Sequence, residues 1–301
     1  MSFLPGSQKH ALLLEPYDYI CSNPGKSFRT KLTEAFNLWL KIPDEKLQVI
    51  SKIMEMLHNA SLLIDDVQDN SELRRGNPVA HRIYGIPITI NCANYIYFLA
   101  LEEVIKLGNP RLVQIFSEEL RNLHRGQGMD LHWRERNVCP TQQEYLDMIS
   151  NKTGGLLRLG IKMMQVLGDE SSDFIPLVDI VGQLYQIHDD YINLKETEYH
   201  NLKGFCEDIT EGKYSFPVIH SLRNSSNPNQ LQYILKQKTE DVEIKKHAVR
   251  LMHASGSFEY TRQHLVLLSR QAREELKRVG GNPLMEKLLN RLDGDIVSKS
   301  G

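Results

Sequence analysis

The feature that most constrains this chain is a helical spacing of apolar residues that continues almost from end to end. Apolar side chains recur at spacings of three and four at Ile50, Ile53, Met54, Leu57, Ala60 and Ile64. A half-buried helix has this period, and similar patterns cover residues 111–134, 142–167, 174–195 and 258–278. Clear two-residue alternation bounded by turns, the mark of a strand, is missing. The sequence therefore predicts an all-α protein.

Turn signals separate the helical segments, and none of them is long enough to be a linker. They lie at Asn23-Pro24-Gly25, Gly76-Asn77-Pro78, Asn109-Pro110, Cys139-Pro140, Asn224 to Pro228 and Gly280-Gly281-Asn282-Pro283. The chain contains no repeat of fixed period and no low-complexity tract. We therefore expect a single domain over residues 1–301, built as one helical bundle.

Charge and composition limit the partners of the chain. The 36 Lys and Arg nearly balance the 38 Asp and Glu, so no global basic field exists to hold nucleic acid. No run approaches the roughly 20 apolar residues of a membrane span, and the N-terminus does not resemble a signal peptide. The four cysteines are scattered and form no CxxC, which argues against a zinc site or a disulfide framework. We expect a soluble protein of the cytoplasm.

The strongest chemical signal is Asp65-Asp66-Val67-Gln68-Asp69, at the end of an apolar helix and shortly before Arg74-Arg75. With 3.6 residues per turn, Asp65 and Asp69 stack on one helix face, where like charges destabilise a helix unless they are neutralised. Magnesium favours a few carboxylates together with substrate phosphate oxygens. The alternative is a solvated acidic helix end, but the apolar helix before the motif and the arginines after it favour a metal site.

A second acidic cluster, Gln186-Ile187-His188-Asp189-Asp190-Tyr191-Ile192-Asn193, follows about 120 residues later. Gln186, either Asp189 or Asp190, and Asn193 fall at spacings of three and four on one face of a helix. Taken alone, this string is typical of a solvated surface. Together with the first motif, it indicates two acidic faces that oppose each other.

Basic residues beside glycines form the third element. They occur in Gly25-Lys26 with Arg29, Arg74-Arg75-Gly76, Lys152-Thr153-Gly154-Gly155, Lys203-Gly204 and Gly212-Lys213. Cations beside small residues suit close approach to phosphate, with Arg as a bidentate fork and Lys as a point charge. Each alone is typical of a surface cation, but their recurrence beside two acidic motifs indicates diphosphate binding.

These motifs, in this order, resemble the trans-prenyl diphosphate synthases over about residues 10–290. The wordings LHNASLLIDD, GQGMDLHWR and EDITEGKYSFPVIH are most similar to the eukaryotic geranylgeranyl branch. The resemblance implies an antiparallel bundle around a deep central cavity, with the two acidic motifs facing each other at its mouth. It also implies a homo-oligomer built from dimers. The expected reaction joins isopentenyl diphosphate to an allylic diphosphate, mainly farnesyl but also shorter primers, and gives geranylgeranyl diphosphate.

The resemblance also assigns site residues. About three Mg²⁺ ions are expected, held by Asp65, Asp69 and Asp189. Contacts to the allylic diphosphate are expected from Arg74, Lys152, Thr153, Gln186, Lys203 and Lys213, and Lys152 and Lys213 join the three aspartates as catalytic residues. Contacts to isopentenyl diphosphate are expected from Lys26, Arg29, His58 and Arg75. Asn193 departs from the general DDxxD pattern and is not expected to bind metal.

Chain length is expected to depend on the residues below the first motif. Ser61 lies one turn before Asp65, where the family's farnesyl producers often carry bulky aromatic residues. The open level at Ser61 favours a longer C20 product. Tyr97, Phe98 and His124 match positions of a deeper floor in the geranylgeranyl branch, although Tyr97 and Phe98 could equally be ordinary core residues.

Other functions are also compatible with parts of the sequence. Another chain length, a terpene cyclase and a non-catalytic regulatory subunit all suit the predicted fold. The basic set Lys26, Arg29 and Arg75 favours a two-substrate condensation over a cyclase, and the retained aspartates argue against a regulatory subunit. A nucleotide-binding loop at Gly25-Lys26-Ser27 is rejected, because position 20 is Ile where such a loop needs Gly.

Overall fold

A computed structural model of the protein describes residues 6–23, 25, 28–195 and 205–297. The predicted substrate contacts Lys26 and Lys203 lie outside these ranges. The helices of the described part are α1 (Gly6–Cys21), α2 (Phe28–Leu40), α3 (Asp44–Gln68), α4 (Ala80–Tyr84), α5 (Ile86–Lys106), α6 (Pro110–Arg136), α7 (Gln142–Leu167), α8 (Ile175–Leu194), α9 (Glu207–Thr210), α10 (Phe216–Asn224), α11 (Asn229–Gln237), α12 (Val242–Ala254), α13 (Ser257–Arg278) and α14 (Pro283–Val297). The predicted all-α class is confirmed.

The predicted turn signals coincide with helix boundaries because they supply caps and first-turn prolines. Asn109 caps α6 by accepting a hydrogen bond from the backbone N of Arg111, and Pro110 opens the helix. Thr141 and Glu144 form a capping box at the start of α7. These signals explain why α6 and α7 begin within one residue of their predicted limits.

Within the described residues, a short hairpin that the sequence did not predict lies directly after the first acidic motif. Its two strands, β1 (Leu73–Arg74) and β2 (Asn77–Pro78), have two residues each. Arg75 and Gly76 form its turn with φ of +55° and +80°. Positive φ at both central positions is the type I′ geometry, whose twist matches that of paired strands. Strands this short give no periodic signal, so the sequence could not predict them.

The core lies among α3, α5, α6, α7 and α8, with α13 covering α8 and α14 covering α2. Glycines allow the closest approaches. A Cβ on Gly126 of α6 would lie 2.4 Å from the backbone N of Lys152 on α7, and one on Gly182 of α8 would lie 3.3 Å from the Cα of Gly154. Buried Asn282, just before α14, donates a 2.7 Å hydrogen bond to the backbone O of Ala35 on α2. Among the described residues, no helix is both long and apolar enough to cross a membrane.

Candidate active site

The first acidic motif ends α3, and its aspartates point in two directions. The side chains of Asp65 and Asp69, one turn apart, are 24% and 5% exposed, and that of Asp66 is 2% exposed. Consecutive residues on a helix are rotated by about 100°, so Asp66 cannot share their face. Asp66 Oδ1 instead accepts a 2.7 Å hydrogen bond from Nε of Arg74, whose Nη2 lies 3.6 Å from Asp65 Oδ2. The predicted pairing of Asp65 and Asp69 on one face agrees with the structure.

The hairpin after this motif separates two adjacent arginines. Arg74 turns toward Asp66, while Arg75, in the left-handed conformation, donates to the backbone O of Asn23. Asn23 returns a 3.1 Å hydrogen bond to the backbone O of Arg75. The two guanidinium groups therefore lie in different places, that of Arg74 at the acidic motif and that of Arg75 at the segment after α1.

Lys152 of α7 approaches the same motif from a second helix. Its Nζ lies 3.6 Å from Asp65 Oδ1 and 2.7 Å from Oδ2 of Asp130, a buried residue of α6. Burial alone would raise the pKa of Asp130, but the charges of Lys152 and Arg134 outweigh it and bring the pKa to about 2. Gln127 Nε2 adds a 3.2 Å hydrogen bond to Asp65 Oδ1. Lys152 is thus held as a cation beside the first motif.

The second acidic motif also divides between the two sides of its helix. Asp189 is exposed, whereas Asp190 is fully buried. The carboxylate of Asp190 accepts hydrogen bonds from Gln186 Nε2 (3.1 Å), Lys213 Nζ (3.1 Å), the backbone N of Phe216 (2.9 Å) and the hydroxyl of Tyr145. The hydroxyl of Thr153 donates to Gln186 Oε1 at 2.6 Å. Three predicted substrate contacts, Thr153, Gln186 and Lys213, therefore belong to one network.

Asn193, where the family pattern has Asp, holds the chain that follows. Its Oδ1 accepts a 3.1 Å hydrogen bond from the backbone N of Asp208. Burial raises the pKa of Asp208 to about 7; Lys213 opposes this, and the charges of Asp190 and Asp189 reinforce it. A carboxylate at position 193 would add negative charge to this cluster. The amide provides the acceptor without the charge, which explains the departure from the pattern.

Arg134 of α6 connects the two acidic regions. Its Nη1 lies 2.7 Å from Asp69 Oδ1 and 3.9 Å from Oε2 of Glu211, and its Nη2 lies 3.8 Å from Asp130 Oδ2. Asp69 and Glu211 thus both approach Nη1 of one buried guanidinium. The opposition of the two acidic motifs stays a prediction.

The carboxylates around Arg134, which we call the mouth, include Asp69 and Glu211 and fit a divalent cation. Burial and the charge of Asp65 raise the pKa of Asp69 to about 6, and burial and Asp69 raise the pKa of Glu211 well above its usual range. Burial is the largest cause of both raised pKa values, whereas Lys152 and Arg74 outweigh burial at Asp65 and lower its pKa. Carboxylate oxygens are donors that suit magnesium. Within the described residues, no three His, Cys, Asp or Glu side chains form a metal-binding group by themselves.

A pocket of about 80 Å³ lies beside the other arginine. Arg29, His58 and Arg75, three of the residues predicted to bind isopentenyl diphosphate, all line it. Burial and the charge of Arg75 bring the pKa of Arg29 to about 10, so it remains protonated at neutral pH. Burial and both arginines hold the pKa of His58 well below its usual range, so its ring is neutral. Gly25 allows Arg75 to approach, because a Cβ there would lie 2.7 Å from Arg75 Nη2.

The predicted chain-length residues do not all face the interior. Ser61 is partly buried and donates to the backbone O of His58 at 2.7 Å. Tyr97 is partly buried, its ring lies 5.7 Å from that of His124, and burial and the charge of Asp65 raise its pKa to about 12. Phe98 is 66% exposed. Phe98 therefore does not line the interior of the single chain, and the roles of Tyr97, Phe98 and His124 in chain length stay predictions.

Sequence reasoning missed several residues of the mouth. They are Asp66 and Asp190 as buried partners, Asp130 and Arg134 on α6, Tyr145 on α7, and Asp208 and Glu211 before Lys213. One signal was present, since Gln127, Asp130 and Arg134 recur at spacings of three and four on one helix face. Their partners, however, come from α3, α7 and the segment after α8, which no local pattern predicts.

This combination of acidic motifs, clustered cations and an all-helical bundle defines a class. The chain matches the polyprenyl synthetase family over residues 10–252, and it belongs to that family. It is 54% identical to a geranylgeranyl pyrophosphate synthase of Mucor circinelloides f. lusitanicus, over 93% of both chains. It is 51% identical to that of Dictyostelium discoideum, over 95% of this chain and 94% of the relative. A protein named terpene synthase from Matsumurasca onukii is 52% identical, over 93% of this chain and 92% of its own.

Proposed function

We propose that this chain is a geranylgeranyl diphosphate synthase, which condenses isopentenyl diphosphate with allylic diphosphates, mainly farnesyl diphosphate. The observation that carries the proposal is the divergence of Arg74 and Arg75. One guanidinium joins the cations at the acidic motif, and the other joins Arg29 in a separate pocket. Two anion sites beside one acidic motif suit a reaction with two diphosphate substrates. The relatives named geranylgeranyl pyrophosphate synthase support the C20 product.

Asp65, Asp69 and Asp189 are the proposed magnesium ligands, and three ions per site are expected. Asp65 and Asp69 share one helix face, and Asp189 is the exposed aspartate of the second acidic motif. Bound magnesium would neutralise the allylic diphosphate and so favour its departure. The partly exposed carboxylate of Asp65 and the raised pKa of Asp69 support this assignment.

The chain's own cations supply fixed positive charge around the leaving group. Arg74, Lys152 and Lys213 would contact the allylic diphosphate, the kind of preorganised stabilisation that is usually a large catalytic contribution. The allylic carbon–oxygen bond breaks, the isopentenyl double bond attacks the resulting cation, and a new carbon–carbon bond forms. A proton then passes from the condensed chain to the released diphosphate. Arg29, Arg75 and neutral His58 would hold the isopentenyl substrate in reach of that carbon.

Two measurements test the function. Mass-resolved products are determined with isopentenyl diphosphate and each of the C5, C10 and C15 primers, and C20 is the expected main product. The same assay with Asp65→Ala should lose about a hundredfold or more in turnover, the scale of lost charge stabilisation. Full activity in excess chelator, or in the substituted protein, contradicts the metal assignment.

A terpene cyclase is the second candidate, because one relative carries the name terpene synthase. A cyclase converts one diphosphate alone and releases a hydrocarbon, so it has no use for the pocket of Arg29 and Arg75. Farnesyl or geranylgeranyl diphosphate supplied without isopentenyl diphosphate separates the two activities. Volatile hydrocarbon under those conditions would favour the cyclase.

A homo-oligomer of dimers in the cytoplasm completes the proposal. Ile90, Phe98 and Ile105 lie on one side of α5 and are 37%, 66% and 57% exposed, which suits an apolar contact between copies. All four cysteines are free thiols, as expected in a reducing compartment. Light scattering of the wild type and of Phe98→Glu tests the contact, with a smaller particle expected for the variant.

A further inference from the structure

Each of three proposed diphosphate-binding cations has a buried aspartate of its own. Arg74, Lys152 and Lys213 come from different elements of the fold. Their partners Asp66, Asp130 and Asp190 are 1%, 2% and 0% exposed. Lys152 Nζ lies 2.7 Å from Asp130, Lys213 Nζ lies 3.1 Å from Asp190, and Arg74 Nε lies 2.7 Å from Asp66. The proposed metal ligands are the neighbouring aspartates on the exposed side of each motif.

The buried aspartates are poorly placed to bind metal or substrate themselves. A carboxylate has about four lone-pair sites. Asp190 already accepts four hydrogen bonds, among them those of Lys213 and Tyr145. Asp66 faces away from Asp65 and Asp69 on α3. These groups therefore act through the cations they hold.

Holding a cation at a buried place has a physical cost that the aspartates offset. A lysine removed from water tends to lose its proton, and an adjacent carboxylate reverses this tendency. The carboxylate also restricts a long, flexible side chain to one direction, which preorganises its charge. The three pairs come from α3 with the hairpin, from α6 with α7, and from α8 with the segment before α10. Together they fix the three charges from three sides.

We propose that Asp66, Asp130 and Asp190 are positioning residues, each of which orients one cation for the allylic diphosphate. The inference rests on the proposed function for the identity of the ligand. It explains why both motifs carry paired aspartates: the first of each pair faces the mouth and the second faces its cation.

The chain contains a matched control for an ion pair with a structural role alone. Glu119 of α6 is 1% exposed, and its carboxylate lies 2.6 Å from Lys162 Nζ and 3.2 Å from Arg158 Nη2. It precedes Asp130 by three helical turns, about 16 Å along α6. Glu119→Gln therefore removes the same chemistry from the same helix, away from the mouth.

The experiment compares Asp130→Asn, Asp190→Asn and Glu119→Gln with the wild-type protein. Calorimetry measures the binding of inorganic pyrophosphate in the presence of magnesium, and thermal denaturation measures stability. Loss of a hydrogen bond to a charged group should weaken pyrophosphate binding by about tenfold to a hundredfold in the two aspartate variants. Glu119→Gln should lower the melting temperature and leave pyrophosphate affinity within about twofold, since its pair touches no ligand.

A double-mutant cycle identifies the positioning role. In a Lys152→Ala background, adding Asp130→Asn should change pyrophosphate affinity by less than about threefold, because the cation that Asp130 orients is already absent. Independent, multiplicative losses would overturn the proposal, and so would an equal loss in Glu119→Gln. The binding assay needs no turnover, so a chain that makes no C20 product but passes this cycle refutes the proposed function and leaves the positioning role standing.

Tyr145→Phe serves if the buried aspartate variants do not fold. It removes one donor from Asp190 without changing a charge. A loss of about three- to tenfold in pyrophosphate affinity is expected, smaller than in the aspartate variants because Asp190 keeps its charge and its contact with Lys213. Manganese binding, followed by electron paramagnetic resonance, should stay unchanged, whereas Asp65→Asn should weaken it. Unchanged pyrophosphate affinity in Tyr145→Phe, or weakened manganese binding, overturns the proposal.

Discussion

Two glycines of α6 should respond in opposite ways to the same substitution. A Cβ on Gly126 would lie 2.4 Å from the backbone N of Lys152 and 2.8 Å from the backbone O of Met148, about 1 Å inside ordinary contact. Backbone atoms cannot turn aside as a flexible side chain can, so α6 and α7 must separate. A Cβ on Gly128 meets no atom within 4 Å. Replacement by alanine therefore tests the close approach of the two helices.

The magnitudes follow from packing and helix propensity. Gly128→Ala should gain about 1 kcal/mol, because alanine is the better helix former by that amount. Gly126→Ala receives the same gain but adds an overpacking penalty of about 1–3 kcal/mol, whose lower end corresponds to relief by a small helix shift. The difference between the two variants is expected to be about 1–3 kcal/mol, or several degrees in melting temperature.

Activity provides the second measurement for this pair. Separation of the helices moves Lys152 away from Asp130, and a displacement of about 1 Å at a catalytic group can cost up to a hundredfold in rate. Gly126→Ala should therefore lose kcat/KM for the allylic substrate as well as stability, while Gly128→Ala keeps both. Denaturant titration and steady-state kinetics decide it. Equal stability of the two variants would refute the reasoning from the contact distances.

Three further outcomes are expected. Without metal, the free energy of unfolding should fall as the pH rises from about 5 to 8. The raised pKa values of Asp69 (about 6) and Asp208 (about 7) mean that the folded state binds these protons more tightly than the unfolded state does. Denaturant titrations in chelator check this, and a free energy of unfolding that rises with pH would contradict it. Asn193→Asp should lower the melting temperature more at pH 8 than at pH 6, since the new carboxylate would lie beside Asp208. Equal shifts at the two pH values would show that charge repulsion is not the reason for Asn193. Ser61→Phe should shift the product from C20 to C15, because Ser61 lies about 6 Å along α3 from Asp65; product chromatography with an unchanged C20 peak would assign the control of length elsewhere.

The fold was predictable because its signals are local. Helical periodicity, caps and first-turn prolines act over a few residues, and the bounds of α6, α7, α8 and α13 follow from them. The stacking of Asp65 and Asp69 was predictable for the same reason. The single-domain expectation and the substrate contacts Lys26 and Lys203 stay predictions.

The rest depends on how helices are rotated against each other. Sequence spacing left Asp189 and Asp190 as alternatives, and only the packing of α8 shows that Asp190 is buried. The partnership of Asp130 with Lys152 joins two helices whose relative rotation has no sequence signature. The outward direction of Phe98 was not predictable for a similar reason, because an apolar residue in an apolar helix can face either inward or outward.

The hydrogen bond from Asn282 to Ala35 bears on how far this chain can be shortened. The family match stops at residue 252, yet α13 covers the back of the helix that carries Asp189, and α14 rests on α2. A truncation at residue 252 would strip both covers from α8 and α2 and remove the hydrogen bond that Asn282 donates to the backbone O of Ala35. We therefore expect the shortest part of this chain that folds to extend beyond residues 10–252, the range that matches the family.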